Sequence, residues 1–253
     1  MSTPVVLSIG TTHPWNIAGV GLDAQVAAEF GLRSATVVVG VTAQDHSGVR
    51  DRFAVPPEVV RAQFESIPRD HLAAIRVGAV FDEQNVGEVA RFLCGEPEVP
   101  AVVDPIFTAT LGGNFGGEAS FAAFRVKVMA LPVILTPNIP EAERLTGRTI
   151  SNKEQMISAA HALRAMGPRA VLLKGGHLAG DPLDVLVTAH ETKVFTQTRL
   201  AQRMRGTGCT LAAALACELA KGRRLEEAVD SARAYVRKKI EAQIPYASLH
   251  VAF

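Results

Sequence analysis

An open, doubly wound α/β fold, with a mostly parallel central sheet and helices on both faces, is what this sequence predicts, on three grounds. Short runs of β-branched residues recur along the chain, each followed by a loop and then a segment with helical spacing. Most of these runs are apolar throughout, as strands covered on both faces are. The 253 residues are 48% hydrophobic and only 6% aromatic, which suits a core of Ala, Val, Leu and Ile. A chain of this length is expected to form one domain, residues 1–253.

Val5-Val6-Leu7-Ser8-Ile9, ending at Gly10, is the first predicted strand. A loop from Thr11 to Ile17 leads to Gly19-Val20-Gly21, after which Leu22, Val26, Ala27 and Phe30 recur at helical spacing up to Gly31. Asp23 is expected in the first turn of that helix, where the dipole favours a carboxylate; the alternative is a carboxylate facing a pocket and accepting from a ligand amine. Ala35 to Thr42 is the second strand, and Gln44 just beyond it can read a heterocycle edge or simply be solvated. Pro56-Pro57-Glu58 opens a helix. Ala74 to Val80 is a third strand, Asn85 to Phe92 a helix, and Ala101-Val102-Val103 a fourth strand ending at Asp104-Pro105. Ligands of parallel sheets bind beyond the carboxyl ends of strands, which makes Asp104 a candidate for magnesium or its water, against an Asx turn.

The glycine-rich segment Leu111 to Gly117 reads either as a closing loop or as plain loop. Pro132 to Leu135 is a strand followed by Thr136-Pro137-Asn138-Ile139-Pro140-Glu141-Ala142-Glu143, ordinary helix-start chemistry in which Asn138 and Glu141 could also share a magnesium shell. Ser158 to Met166 is a helix stopped at Gly167-Pro168. Ala170 to Lys174 is a strand whose terminal lysine, beside Gly175-Gly176, is suited to neutralising phosphate. Asp184 to Val187 and Val194-Phe195 suggest a hairpin, so one edge of the sheet should be mixed. Helices follow over Thr210 to Ala220 and Leu225 to about Gln243.

Arg205-Gly206-Thr207-Gly208-Cys209-Thr210 runs straight into an alanine-rich helix. Free backbone N–H groups and the positive end of the dipole make such a helix start an anion cradle. A tight turn capped by Thr207, with Cys209 a small apolar filler, is the plainer reading, and this stretch alone leaves both open.

Composition excludes other classes. Lys+Arg 26 against Asp+Glu 25 gives a net charge of +1, so no global field recruits nucleic acid or an anionic membrane, and a small-molecule partner is expected. No run reaches membrane-spanning length and the N-terminus lacks a leader pattern, so the chain is expected to be cytoplasmic. Cys94, Cys209 and Cys217 are too few and too far apart for a disulfide framework or zinc site.

Thr42-Ala43-Gln44, Val103-Asp104-Pro105, Thr136-Pro137-Asn138-x-Pro140-Glu141-Ala142-Glu143, Leu173-Lys174-Gly175-Gly176-His177 and Gly206-Thr207-Gly208-Cys209-Thr210 stand in a known order and spacing. Over about Val5 to Ile240 the chain resembles the hydroxymethylpyrimidine/phosphomethylpyrimidine kinases of thiamine biosynthesis, in the ribokinase-like superfamily. The resemblance implies ATP-dependent, Mg²⁺-assisted phosphorylation of 4-amino-5-hydroxymethyl-2-methylpyrimidine and then of its monophosphate. It also implies a homodimer. It places the Gly206, Thr207, Gly208 and Cys209 amides on the moving phosphoryl group, Lys174 on phosphate charge, and Asn138 with Glu141 around Mg²⁺ and the nucleotide, assisted by Asp104. Cys209 becomes the base for the substrate hydroxyl, its thiolate favoured by a helix N-terminus. Asp23 and Gln44 read the pyrimidine, with Gly19 beside them.

The chain also departs from that pattern. Where the family usually has a Gly-Ser-Asp-Pro-Ser-Gly-Gly-Ala-Gly type loop, this chain has Gly10-Thr11-Thr12-His13-Pro14-Trp15-Asn16-Ile17-Ala18-Gly19. Arg205 stands where a histidine is usual. A lost carboxylate and a gained cation imply a preference for the anionic monophosphate, with Arg205 at the substrate. Pyridoxal kinase activity is the alternative within the superfamily, and a catalytically silent pyrimidine- or nucleotide-binding protein is the alternative outside catalysis.

Overall fold

The computed structural model describes residues 3–45, 48–107, 116–176, 178, 180–202 and 204–242. Part of the glycine-rich 111–117 segment, His177 and the end of the last predicted helix at Gln243 lie outside the described residues.

Nine strands form one sheet in the order β3-β2-β1-β4-β5-β6-β7-β8-β9. They are β1 (Val5–Thr12), β2 (Arg33–Asp45), β3 (Gly48–Ala54), β4 (Leu72–Val77), β5 (Ala101–Val103), β6 (Ile134–Leu135), β7 (Ala170–Lys174), β8 (Leu183–Val187) and β9 (Thr192–Thr196). From β2 through β1 and β4 to β7 all pairings are parallel. The β2–β3, β7–β8 and β8–β9 pairings are antiparallel, so the sheet is mixed at both edges and not only at the predicted one.

Side chains along the central strands alternate between two apolar layers, as the two-residue period of a strand requires. Leu7, Ile9, Ile75, Val77, Val103, Leu135, Val171 and Leu173 face one layer. It is shared with α2 (Pro57–Glu65), α3 (Glu83–Cys94), α4 (Glu118–Ala123), α5 (Ile139–Thr146) and α6 (Lys153–Arg164). Val6, Ala74, Val102, Ile134, Ala170 and Leu172 face the other, built from α1 (Gly19–Glu29), α7 (Thr207–Ala220) and α8 (Leu225–Glu241). The alanines of α7 let this helix lie close against the strands; Ala212, Ala214 and Ala216 are fully buried. α4 continues as a π-helical turn, Phe124–Val128.

The chain runs outward from β1 to β2 and β3, then returns to place β4 on the opposite side of β1. Crossover helices therefore change faces between β1 and β4, and the loops beyond these two strands diverge. In doubly wound sheets a ligand crevice opens at that switch point.

Candidate functional site

Five strand ends deliver the polar groups of this crevice. β1 runs into the 13–18 loop, β4 carries Arg76, and β5 and β6 are followed directly by Asp104 and Thr136. β7 ends on Lys174. Against these ends stands the N-terminus of α7.

The first turn of α7 holds Thr207, Gly208 and Cys209, one turn earlier than the sequence suggested, with Gly206 as N-cap in the left-handed region at φ 73°. Gly206 provides no side-chain acceptor, so the plainer reading, a turn capped by Thr207, does not hold. Thr207 is itself a helical residue, and the end of the helix is left open. Glycine is required at 206, because a Cβ would lie 2.3 Å from the Ile17 carbonyl oxygen, on top of the unfavourable φ. At Gly208 a Cβ would lie 3.1 Å from Lys174 Nζ, which brings the ammonium against the open amides.

Lys174 Nζ donates to Asp104 Oδ1 at 2.7 Å, and Thr136 Oγ1 donates to the same oxygen at 3.2 Å. The other oxygen, Oδ2, lies 3.6 Å from Nη2 of Arg76, whose Nη1 donates to Asp23 Oδ2 at 3.1 Å. Arg76 is fully buried in the middle of the sheet. Burial works against its charge, but the Asp23 carboxylate above all, with Asp104, holds it protonated. Burial raises the Asp23 carboxyl to about 6 even with Arg76 beside it. Asp23 lies beyond the first turn of α1, which contains no acidic residue, and is only 1% exposed. The expected dipole role is thus replaced by a buried ion pair.

Cys209 is partly exposed, and its sulfur accepts from the Gly19 N–H. Desolvation pushes the thiol above its ordinary value, outweighing Arg76, so the expected lowering by the helix N-terminus is reversed in the free protein. Gly19, at φ 65°, has no room for a Cβ, which would meet the Thr11 carbonyl at 2.2 Å. Gln44 donates to Thr42 Oγ1 at 2.9 Å, and Thr42 donates to the Thr12 carbonyl at 3.3 Å. This short chain ties the edge hairpin to the end of β1.

Asn138 and Glu141 form a reciprocal capping box at the start of α5. Glu141 N–H donates to Asn138 Oδ1 at 2.9 Å, and Asn138 N–H donates to Glu141 Oε2 at 2.7 Å. Burial raises the Glu141 carboxyl to about 7, against the pull of Lys174. Among the described residues no group of three or more His, Cys, Asp or Glu side chains is arranged to hold a metal ion. Asp104, a predicted magnesium ligand, has Lys174 on one oxygen and Arg76 near the other.

The sequence reading passed over Arg76 and His13. His13 is 4% exposed and its Nε2 accepts from the Ala18 N–H at 3.2 Å. Arg205 lies within its electrostatic reach.

The phosphomethylpyrimidine kinase family model matches residues 15–252. The chain belongs to the phosphomethylpyrimidine kinase family. Its relatives include the hydroxymethylpyrimidine/phosphomethylpyrimidine kinase of Streptomyces coelicolor, 36% identical over 97% of this chain and 91% of that protein. The thiamine biosynthesis bifunctional protein ThiED of Geobacter sulfurreducens is 35% identical over 97% of this chain, which spans only 51% of that longer protein. Among solved structures, the phosphomethylpyrimidine kinase of Clostridium difficile 630 superposes with a TM-score of 0.83 at 29% identity, covering 94% of this chain and 99% of that one. Pyridoxal kinase of Bacillus subtilis superposes with a TM-score of 0.88 at 24% identity over 96% and 94% of the two chains, which is likeness of fold. This member of the kinase family is a ribokinase-like phosphotransferase, and membership implies ATP use. No helix among the described residues is long and apolar enough to cross a membrane.

Proposed function

We propose that the chain acts as a single cytoplasmic kinase domain, residues 1–253, that transfers the γ-phosphoryl group of ATP to 4-amino-5-hydroxymethyl-2-methylpyrimidine monophosphate, giving the diphosphate used in thiamine biosynthesis. The observation that carries this reading is the open α7 N-terminus with Lys174 against Gly208 and Cys209 beside Arg76. Phosphoryl transfer asks a protein mainly for positioning and for stabilisation of spread negative charge. The amides of Thr207, Gly208 and Cys209 and the Lys174 ammonium supply both.

For the free alcohol, Cys209 accepts the hydroxyl proton as the thiolate, the minor form in the free protein because burial raises the thiol. For the monophosphate the attacking group is a phosphate oxygen, already anionic near neutral pH because its second pKa is about 6. That step needs orientation more than a base, which suits a thiol that burial keeps protonated. In this reading Asp23 and Gln44 take the pyrimidine ring, with Gly19 and Arg205 beside it.

Magnesium fits one of the predicted ligands better than the other. Burial is the main reason the Glu141 carboxyl is raised, with Asp104 adding to it against Lys174, and a divalent ion arriving with nucleotide phosphates would favour its ionised form. Asp104 is already engaged by two cations. Glu141 is thus the residue to hold the ion, with Asn138 fixing its orientation, and the ion supplies charge neutralisation on the phosphates. A homodimer is part of this reading on the family resemblance alone.

Purified protein with MgATP should convert the pyrimidine monophosphate to the diphosphate, with products identified by mass, and should turn over pyridoxal poorly. Faster turnover of pyridoxal than of either pyrimidine would overturn the assignment.

A further inference from the structure

The 13–18 loop and the start of α7 share one seam, and it contains a buried polar atom with no partner among the described residues. The Ile17 carbonyl packs where Gly206 lacks a side chain, the Gly19 N–H reaches the Cys209 sulfur, and Arg205 lies within electrostatic reach of His13. Because His13 Nε2 accepts from the Ala18 N–H, the ring proton resides on Nδ1. Among the described residues nothing pairs with that Nδ1, although the side chain is 96% removed from solvent. A buried N–H donor without an acceptor is costly, and such an atom at a ligand crevice is satisfied by what binds there. Burial lowers the His13 pKa, outweighing the hydrogen bond with Ala18, and Arg205 lowers it further, so the ring remains a neutral donor.

We propose that His13 is a specificity-determining residue whose Nδ1–H donates to the phosphate already carried by the pyrimidine substrate, beside Arg205 and the amides that open α7. This rests on the kinase reading above and deepens it. The acceptor class is a phosphate monoester on a heteroaromatic hydroxymethyl group, and the free alcohol has no oxygen that far from the ring to take the bond.

Two substitutions separate the two faces of the ring. His13→Gln keeps an amide near the Nε2 position, where Ala18 is held, and loses the Nδ1 donor. His13→Asn keeps a donor near Nδ1. Steady-state kinetics with MgATP on the monophosphate and on the free alcohol should show KM for the monophosphate raised about 10- to 100-fold in His13→Gln. KM for the alcohol should be little changed, and His13→Asn should lie closer to the wild type. Wild-type protein offers a readout that needs no variant: the His13 Nδ1–H proton resonance should appear, slowly exchanging, when the monophosphate is added and not when the alcohol is. Equal KM changes for both substrates, or a resonance indifferent to the monophosphate, would overturn the inference while leaving the kinase reading intact. Wild-type protein that phosphorylates neither pyrimidine would overturn both.

Discussion

The N-termini of α5 and α7 flank Lys174 from two sides and are finished in opposite ways. At α5, Asn138 and Glu141 satisfy each other's backbone donors in a capping box, and Lys174 forms a β-bridge to Asn138. At α7, Gly206 gives no side-chain cap, and the first turn faces the Lys174 ammonium with its amides open. A helix start in a crevice normally acquires a capping side chain, worth about 1 kcal/mol. Beside a lysine and a thiol, an end left open in this way is suited to a ligand anion, as the proposed function has it. α3 and α6 follow α5, capped by Asp82 and Asn152, whereas α1, α2, α4 and α8 share with α7 the lack of a side-chain cap; what sets α7 apart is the Lys174 ammonium against its open end.

The largest effect on this contrast is expected from closing the open end. Gly206→Val places a β-branched side chain at φ 73° and drives its Cβ toward Ile17. Turnover should drop by about 100-fold or more as the amides move off the phosphoryl path. Retained secondary structure by circular dichroism, with unchanged turnover, would show that the open end has no catalytic part. A narrower effect is expected from Cys209→Ala. Phosphorylation of the free alcohol should lose about 100-fold in kcat through loss of the base, whereas the monophosphate, whose nucleophile is already ionised, should lose far less. Equal losses on the two substrates would assign Cys209 to positioning instead of proton transfer. The smallest effect belongs to the closed end. Asn138→Ala removes one half of the α5 capping box and should cost about 1 kcal/mol, read as a Tm lower by about 2–4 °C in a chain of this size.

Much of this architecture is legible in the residues, because buried parallel strands are apolar runs and alanine-rich helices announce themselves. β1, β4, β5 and β7 were recognisable from Val5, Ala74, Ala101 and Ala170 onward. β3 was not, since Gly48–Ala54 contains Arg50, Asp51 and Arg52 and lies exposed at the sheet edge, where polar residues read as loop. The α4 segment and its π-helical continuation also escaped, as Glu118–Ala123 is short and lies beside the glycine-rich stretch.

For the site, position was easier to read than state. Lys174, Asp104 and the Gly206–Cys209 turn lie together at the strand ends, as spacing and resemblance implied. The ionisation of Cys209 depends on how much solvent the fold removes, which no local motif encodes. Arg76 is visible in sequence only as one charge inside an apolar run, and its partners, Asp23 and Asp104, come from elements 53 residues away in one case and on a neighbouring strand in the other. His13 gave no signal beyond its departure from the family loop.

Arg76 has a consequence for how this site can change over time. Its guanidinium occupies the space over Gly78, where a Cβ would lie 2.1 Å from Nη1, and Asp23 and Asp104 leave it little freedom to move aside. Position 78 is therefore closed to every residue larger than glycine for as long as position 76 carries this side chain. The two sites are bound to an order of substitution: a smaller residue at 76 must come first, and a lineage that enlarged 78 beforehand would lose the charge that holds Asp23, Asp104 and Cys209 in one network.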